Sequence, residues 1–98
     1  MSDEPGGISI VSGITSSTVV KASAGRVALV SVVSSLNSSP SCAVHDCATI
    51  GAVSASNQIW RGPSGFGASG IIASLQLPCA NGIVVIPGAG QSLTVSYT

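Results

Sequence analysis

The residues best suited to chemistry in this sequence are Cys42, His45, Asp46 and Cys47, which lie close together, and Cys79 further along the chain. Cysteine and histidine are the usual zinc ligands, but the spacing C-x2-H-x-C is not typical of structural zinc sites. On a regular strand, Cys42 and Cys47 would also point to opposite faces. We therefore predict no metal site and no cofactor, and interpret the cysteines as small buried hydrophobic residues.

The number and context of the cysteines predict free thiols. Three cysteines is an odd number, and the acidic N-terminus has neither the basic region nor the apolar stretch of a signal peptide. We expect synthesis in a reducing cytoplasm, where disulfides are rare. A disulfide between Cys79 and either Cys42 or Cys47 remains the alternative.

The sequence does not predict an enzyme. His45 and Asp46 are adjacent, so on a strand they face opposite ways and do not orient each other. A serine nucleophile needs a base, and His45 is the only histidine available. Residues 65–70 match G-x-G-x-x-G, but no strand precedes them and no helix follows, so the match carries no phosphate-binding meaning.

The composition predicts an all-β domain. Val, Ile and Thr together supply 26 residues and Ser supplies 19, which favours half-buried strands joined by turns. The formal net charge is zero, which argues against nucleic acid as a partner. Uninterrupted apolar runs reach only about four residues, too few to span a membrane. Six charged residues are few for a soluble monomer, so we expect neighbours to cover part of the surface, with a serine-rich monomer as the alternative.

Turn signals separate about eight short strands. We predict a single antiparallel β-sandwich over residues 8–98, preceded by a flexible N-terminal arm at 1–7. The connection at 47–56 is ambiguous, because alanine there favours a helical turn and Gly51 interrupts it. The predicted strands span residues 8–11, 18–21, 26–34, 42–46, 57–61, 71–77, 82–86 and 91–97.

Several strands carry finer predictions. The strand at 26–34 is apolar on both sides, so we expect it to be central, with Val27 and Leu29 on one face and Val30 and Val32 on the other. Pro78 is expected to end the strand at 71–77. The dipeptide at 81–82, Asn-Gly, predicts a tight turn.

Three segments of the chain resemble a known family. They are VKASAGRV at 20–27, AVHD at 43–46, and CANGIVVIPGAGQSLTVSY at 79–97. These segments are similar to small capsid decoration (cement) proteins of tailed bacteriophages, whose fold is a jelly-roll-like β-sandwich. The C-terminal segment carries most of the resemblance, through Asn-Gly, an apolar run, Pro-Gly-x-Gly-Gln and an alternating strand that ends in Tyr97.

The resemblance implies a structural role without catalysis. Such a protein is made in the host cytoplasm and binds the outer surface of the assembled capsid in the virion. There it bridges subunits of the major capsid protein and associates with copies of itself as a dimer or trimer. The alternatives are a tail or head-fibre module of a virion and a small carbohydrate-binding β-domain.

Four apolar residues are the predicted interface residues: Ile8, Ile10, Trp60 and Phe66. Ile8 and Ile10 belong to the strand that follows the arm, and this strand could pair with a partner strand. Trp60 and Phe66 flank the glycine-rich stretch at 62–70, and aromatic side chains are favoured interface anchors. For Trp60, the alternative is that it closes one end of the sandwich core.

Overall fold

Eight strands make up almost all of the regular structure. The computed structural model describes residues 9–35, 42–62, 72–88 and 90–98. Helical structure in these ranges is limited to two three-residue 3-10 turns, Ile50–Ala52 and Ala55–Asn57, so none of it could span a membrane. The strands are β1 Ser9–Ile14, β2 Thr18–Lys21, β3 Gly25–Ser35, β4 Ala43–His45, β5 Gln58–Arg61, β6 Ile72–Cys79, β7 Ile83–Ile86 and β8 Gln91–Tyr97.

Each strand of the first half of the chain pairs with a strand of the second half, in reverse order. β1 pairs with β8, β2 with β7, β3 with β6 and β4 with β5, all antiparallel. The first sheet has the order β1-β8-β3-β6, and the second has the order β2-β7-β4-β5. This is the strand order of a jelly roll. The predicted all-β, jelly-roll-like sandwich is confirmed, whereas the arm at 1–7 and Ile8 lie outside the described residues.

The core is a layer of small aliphatic side chains between the two sheets. Both sheets contribute fully buried residues, because alternation along each strand sends every second side chain inward. The two aromatic residues in the described ranges, Trp60 and Tyr97, border this layer and pack against it half-buried. The buried core residues are Ile14, Val20, Val27, Val30, Val32, Cys42, Val44, Cys79, Ile83, Val85, Leu93 and Val95.

A β-bulge in β3 overturns the predicted facing of that strand. Val27 is opposite Tyr97 and Leu29 is opposite Ser96, so β3 uses one more residue than β8 between these pairs. The extra residue shifts the alternation, so that Val27 faces the core together with Val30. Leu29 consequently lies on the outer surface, where 39% of it is exposed.

Pro78 does not end its strand, contrary to the prediction. It lies inside β6, opposite Arg26, and β6 is an edge strand, where a missing N–H leaves no ladder bond unmade. Gln76 in the same strand has a positive φ of 52°, and its carbonyl oxygen accepts a 3.0 Å hydrogen bond from the Arg26 guanidinium. Proline, an irregular backbone and a nearby charge all disfavour the addition of a further strand at this edge.

The connection that contains Asn81 and Gly82 is short, but it is not a hairpin turn. It leads from β6 in the first sheet to β7 in the second, and neither residue has a positive φ. Glycine is needed at this position for space, because a Cβ on Gly82 would lie 2.5 Å from the carbonyl oxygen of Cys47. The Asn-Gly pair therefore marks a close crossing of two chain segments.

Candidate interaction surface

All three cysteines are buried free thiols. Cys42 and Cys79 belong to the core layer, whereas Cys47 is buried outside it, with its Sγ 3.4 Å from the carbonyl oxygen of Thr49. Burial raises the pKa of the Cys42 thiol. Burial, together with Asp46 and Cys47, raises the pKa of the Cys79 thiol to about 11. Because the thiolate is the reactive form, these side chains are poor nucleophiles.

We expect the thermal stability to be the same with and without a reducing agent, because no disulfide contributes to it. An aromatic disulfide reagent should modify the three thiols only at the rate at which the fold opens, since all three are buried. Melting curves and timed thiol labelling check both points. A melting temperature that falls by many degrees in reductant would instead indicate a disulfide, such as one between Cys47 and Cys79.

His45 is a buried structural residue. Only 5% of it is exposed, and its Nδ1 lies 2.8 Å from Oδ1 of Asn57. The Asn57 amide is oriented from both sides, because its Nδ2 donates to the Ala52 carbonyl and its Oδ1 accepts the Ser54 backbone N–H. Oδ1 is thus an acceptor, so Nδ1 of His45 carries the proton and donates it. This bond fastens the connection at 46–57 to β4.

Asp46 holds the β6–β7 connection through its carboxylate. Oδ2 accepts the backbone N–H of Ala80 at 3.0 Å, and Oδ1 accepts those of Asn81 at 2.8 Å and Gly82 at 3.3 Å. We call this set of three hydrogen bonds the Asp46 clamp. The bonds from Asn81 and Ala80 are the main causes that hold the Asp46 pKa below its ordinary value. Asp46 thus serves a structural purpose and shares no hydrogen bond with His45.

The Asp46 clamp should make stability depend on pH in the acid range. A carboxyl group whose pKa falls on folding stabilises the fold above its unfolded pKa, and this contribution is lost as the pH falls through the folded pKa. Urea unfolding of the wild type and Asp46→Ala should therefore differ by a constant free energy above about pH 5, and the difference should shrink as the pH falls from about 4 through the lowered pKa of folded Asp46. A difference that persists unchanged into stronger acid would contradict the clamp.

The described residues offer no site for a metal ion or a small molecule. Within them, no three His, Cys, Asp or Glu side chains are grouped so that they could share a metal ion. The same part of the chain contains no pocket. The residues that the sequence singles out for chemistry act here as core and fastening residues.

The outer face of the first sheet is almost free of charge. Arg26 is the only charged residue in its four strands, and it lies near one end of β3. The middle of the face combines hydroxyl side chains with exposed aliphatic ones. We call this surface the outer serine face; it comprises Ile10, Leu29, Ser31, Ile72, Ser74, Thr94 and Ser96.

The exposed aliphatic side chains on this face lie in two neighbouring rows, with Ile10 and Leu29 in one row and Ile72 in the next. Ile10, Ser96, Leu29 and Ser74 pair in one row across all four strands. Ile10 is 68% exposed and Ile72 is 63% exposed. Between Ile10 and Leu29, the Ser96 hydroxyl oxygen is buried without a hydrogen-bond partner in the described part of the chain. Three exposed aliphatic side chains on one nearly uncharged face make it the candidate interaction surface of the described residues.

The outer side of the second sheet is partly covered by the chain itself. Val84 and His45 are neighbours on its outer side, yet Val84 is fully buried and His45 nearly so. The connection at 46–57 lies on this side, fastened through Asn57 and by the Asp46 N–H to the Asn57 carbonyl at 2.8 Å. The chain therefore covers the middle of this outer face itself, while Val19 and Ile50 stay exposed on the same side, at 37% and 47%.

Of the four predicted interface residues, the structure places one on this surface. Ile10 is part of the outer serine face, whereas Trp60 is half-buried in the edge strand β5 and packs against the core. Ile8 and Phe66 lie outside the described residues. Leu29 and Ile72 were missed, because both lie in strands that could equally have pointed them inward.

No protein-family model, curated protein or solved structure matches this chain.

Proposed function

We propose that this protein is a structural, non-enzymatic component of a bacteriophage virion. It binds the outer surface of the assembled capsid and stabilises the shell by bridging subunits of the major capsid protein. The observation that carries this proposal is the outer serine face, which is nearly uncharged and presents Ile10, Leu29 and Ile72 to solvent. The jelly roll supports it as one of the architectures that recur in viral capsid proteins.

The chemistry of the face determines the kind of partner it fits. Because the face contains no ionisable side chain, a charged partner surface would lose its hydration without gaining an opposite charge. The matching surface is therefore an uncharged protein surface, which gains from burying aliphatic side chains. Nucleic acid and anionic membranes do not meet this condition, since proteins bind both of them mainly through lysine and arginine side chains.

The size of the face favours many copies acting together. Four strands about 4.8 Å apart, with about six residues at 3.3 Å each, give a face of about 400 Å². A standard interface buries about 800 Å² on each partner, so one face alone is expected to bind weakly. A dimer or trimer would present two or three faces to neighbouring capsid subunits, and this multivalency raises the overall affinity. Anything that binds only the intact shell then stabilises it.

Copy number in purified virions tests the proposal. Quantitative mass spectrometry against the major capsid protein should find hundreds of copies, in a simple ratio to capsid subunits. A few copies per particle would favour a tail or head-fibre module instead. Absence from the particle would overturn the virion assignment and leave carbohydrate binding as the next function to test.

A further inference from the structure

The sequence Asn-Gly at 81–82 is chemically labile in a flexible chain. The backbone nitrogen of the glycine attacks Cγ of the asparagine side chain, since no Cβ on the next residue hinders it. A new N–Cγ bond forms, the Cγ–Nδ2 bond breaks, the glycine nitrogen loses its proton and ammonia leaves. Water then opens the resulting succinimide at either carbonyl to give aspartate or isoaspartate.

We infer that Asn81 is a latent deamidation site and that the Asp46 clamp prevents its deamidation in the native fold. The inference does not depend on the proposed capsid role. The attacking atom would be the Gly82 nitrogen, and its N–H is hydrogen-bonded to Oδ1 of Asp46 at 3.3 Å. Removal of that proton would leave a negative nitrogen beside a carboxylate, which is electrostatically unfavourable.

The clamp also fixes the backbone on both sides of the reacting side chain. The Asn81 N–H donates to the same Oδ1 at 2.8 Å, so both amides that flank the Asn81 side chain have one common acceptor. Rotation of the peptide between them, which would bring the Gly82 nitrogen up to Cγ, breaks at least one of these bonds. Asn81 itself is exposed, so water and base reach it, and the backbone geometry sets the rate.

Packing around Gly82 adds a steric block. Gly82 is buried, and the position of a Cβ on it would lie 2.8 Å from the Lys21 carbonyl oxygen and 2.9 Å from Cα of Ala48. These atoms belong to two main-chain segments that pack against the Cβ side of Gly82, so the glycine peptide has little room to turn on that side. The native fold therefore excludes the reactive conformation unless the connection opens locally.

Deamidation would in turn disable the clamp. The product places a carboxylate at position 81, next to an amide that is bonded to the Asp46 carboxylate. Like charges at this separation repel each other. Isoaspartate would also lengthen the main chain by one carbon and displace the neighbouring amides. A single opening event would therefore become a permanent local loosening between β6 and β7.

The test is the rate of deamidation at position 81, measured by peptide mapping that separates aspartate from isoaspartate. The samples are the wild type, Asp46→Ala and Val95→Ala, all incubated at mildly alkaline pH, with urea-unfolded wild type as the upper limit. Loss of charged hydrogen bonds should speed deamidation in Asp46→Ala about tenfold or more over the wild type. Val95→Ala removes a buried core side chain that lies opposite Val11 and Val30 rather than beside the β6–β7 connection, and it controls for general destabilisation.

Two results would overturn the inference. One is a deamidation rate in the native wild type that equals the rate in the urea-unfolded chain. This comparison does not require any variant to fold. The other is equal acceleration in Asp46→Ala and a Val95→Ala variant of matched stability, which would assign protection to the whole fold. A slow wild type, a fast Asp46→Ala and a slow Val95→Ala support the clamp as the protecting element.

Discussion

Replacing Gly82 with alanine should destabilise the fold more than an ordinary surface substitution can. The new Cβ would lie 2.5 Å from the Cys47 carbonyl oxygen, 2.8 Å from that of Lys21 and 2.9 Å from Cα of Ala48. All three are main-chain atoms, so no side-chain rotation relieves the overlap. We expect a loss of about 3 kcal/mol or more, at or above the upper end of what overpacking usually costs. A domain of this size has only about 5–15 kcal/mol in total.

The chain provides a matched control in Gly51. No atom lies within 4 Å of a Cβ placed there, and its φ is not positive, so Gly51→Ala should change the stability by less than about 1 kcal/mol. Urea unfolding followed by circular dichroism compares the two variants with the wild type. Equal midpoints for Gly82→Ala and Gly51→Ala would show that the two segments at Gly82 can separate without loss.

The sequence predicts this fold well wherever period-two alternation is undisturbed. β2 and β8 have the predicted bounds, and β8 alternates as predicted, with Leu93 and Val95 buried. Alternation fails at the bulge in β3. The bulge arises where β3 pairs with the end of β8, because Val27 lies opposite Tyr97 and Leu29 lies opposite Ser96. Local sequence cannot report that pairing. The position of Pro78 inside a strand is equally hard to predict. Proline is tolerated in an edge strand, and only the tertiary fold makes β6 an edge strand.

The candidate surface is less predictable from sequence than the fold. Ile10 could be proposed because it belongs to the first strand, but Leu29 becomes exposed only through the bulge. The cluster that draws attention in the sequence, with His45 and Asp46, instead fastens connections within the domain. A buried histidine with a fixed partner and an exposed histidine at a site look alike in sequence, because their difference lies in tertiary contacts.

The proposed capsid role predicts that Leu29→Asp weakens binding to the capsid severely without unfolding the protein. Leu29 lies in the row of the outer serine face that crosses all four strands, with Ser96 on one side and Ser74 on the other, and 39% of it is exposed. An aspartate there would have no opposite charge on the face and would lose its hydration on docking. We expect affinity to fall about 30-fold or more, as for loss of an interface anchor.

Ile50→Asp is the matched control for this prediction. Ile50 is also an exposed aliphatic residue, at 47%, but it belongs to the connection that lies on the other side of the sandwich. Co-sedimentation with capsids stripped of the protein should show wild-type binding for Ile50→Asp and none for Leu29→Asp, with both variants folded by circular dichroism. Wild-type binding should also change little with salt, because screening acts on charges that the face lacks. A buried aspartate would not be tolerated in a dry interface on the outer serine face. Equal binding by both variants would therefore show that the capsid contact lies elsewhere on the protein.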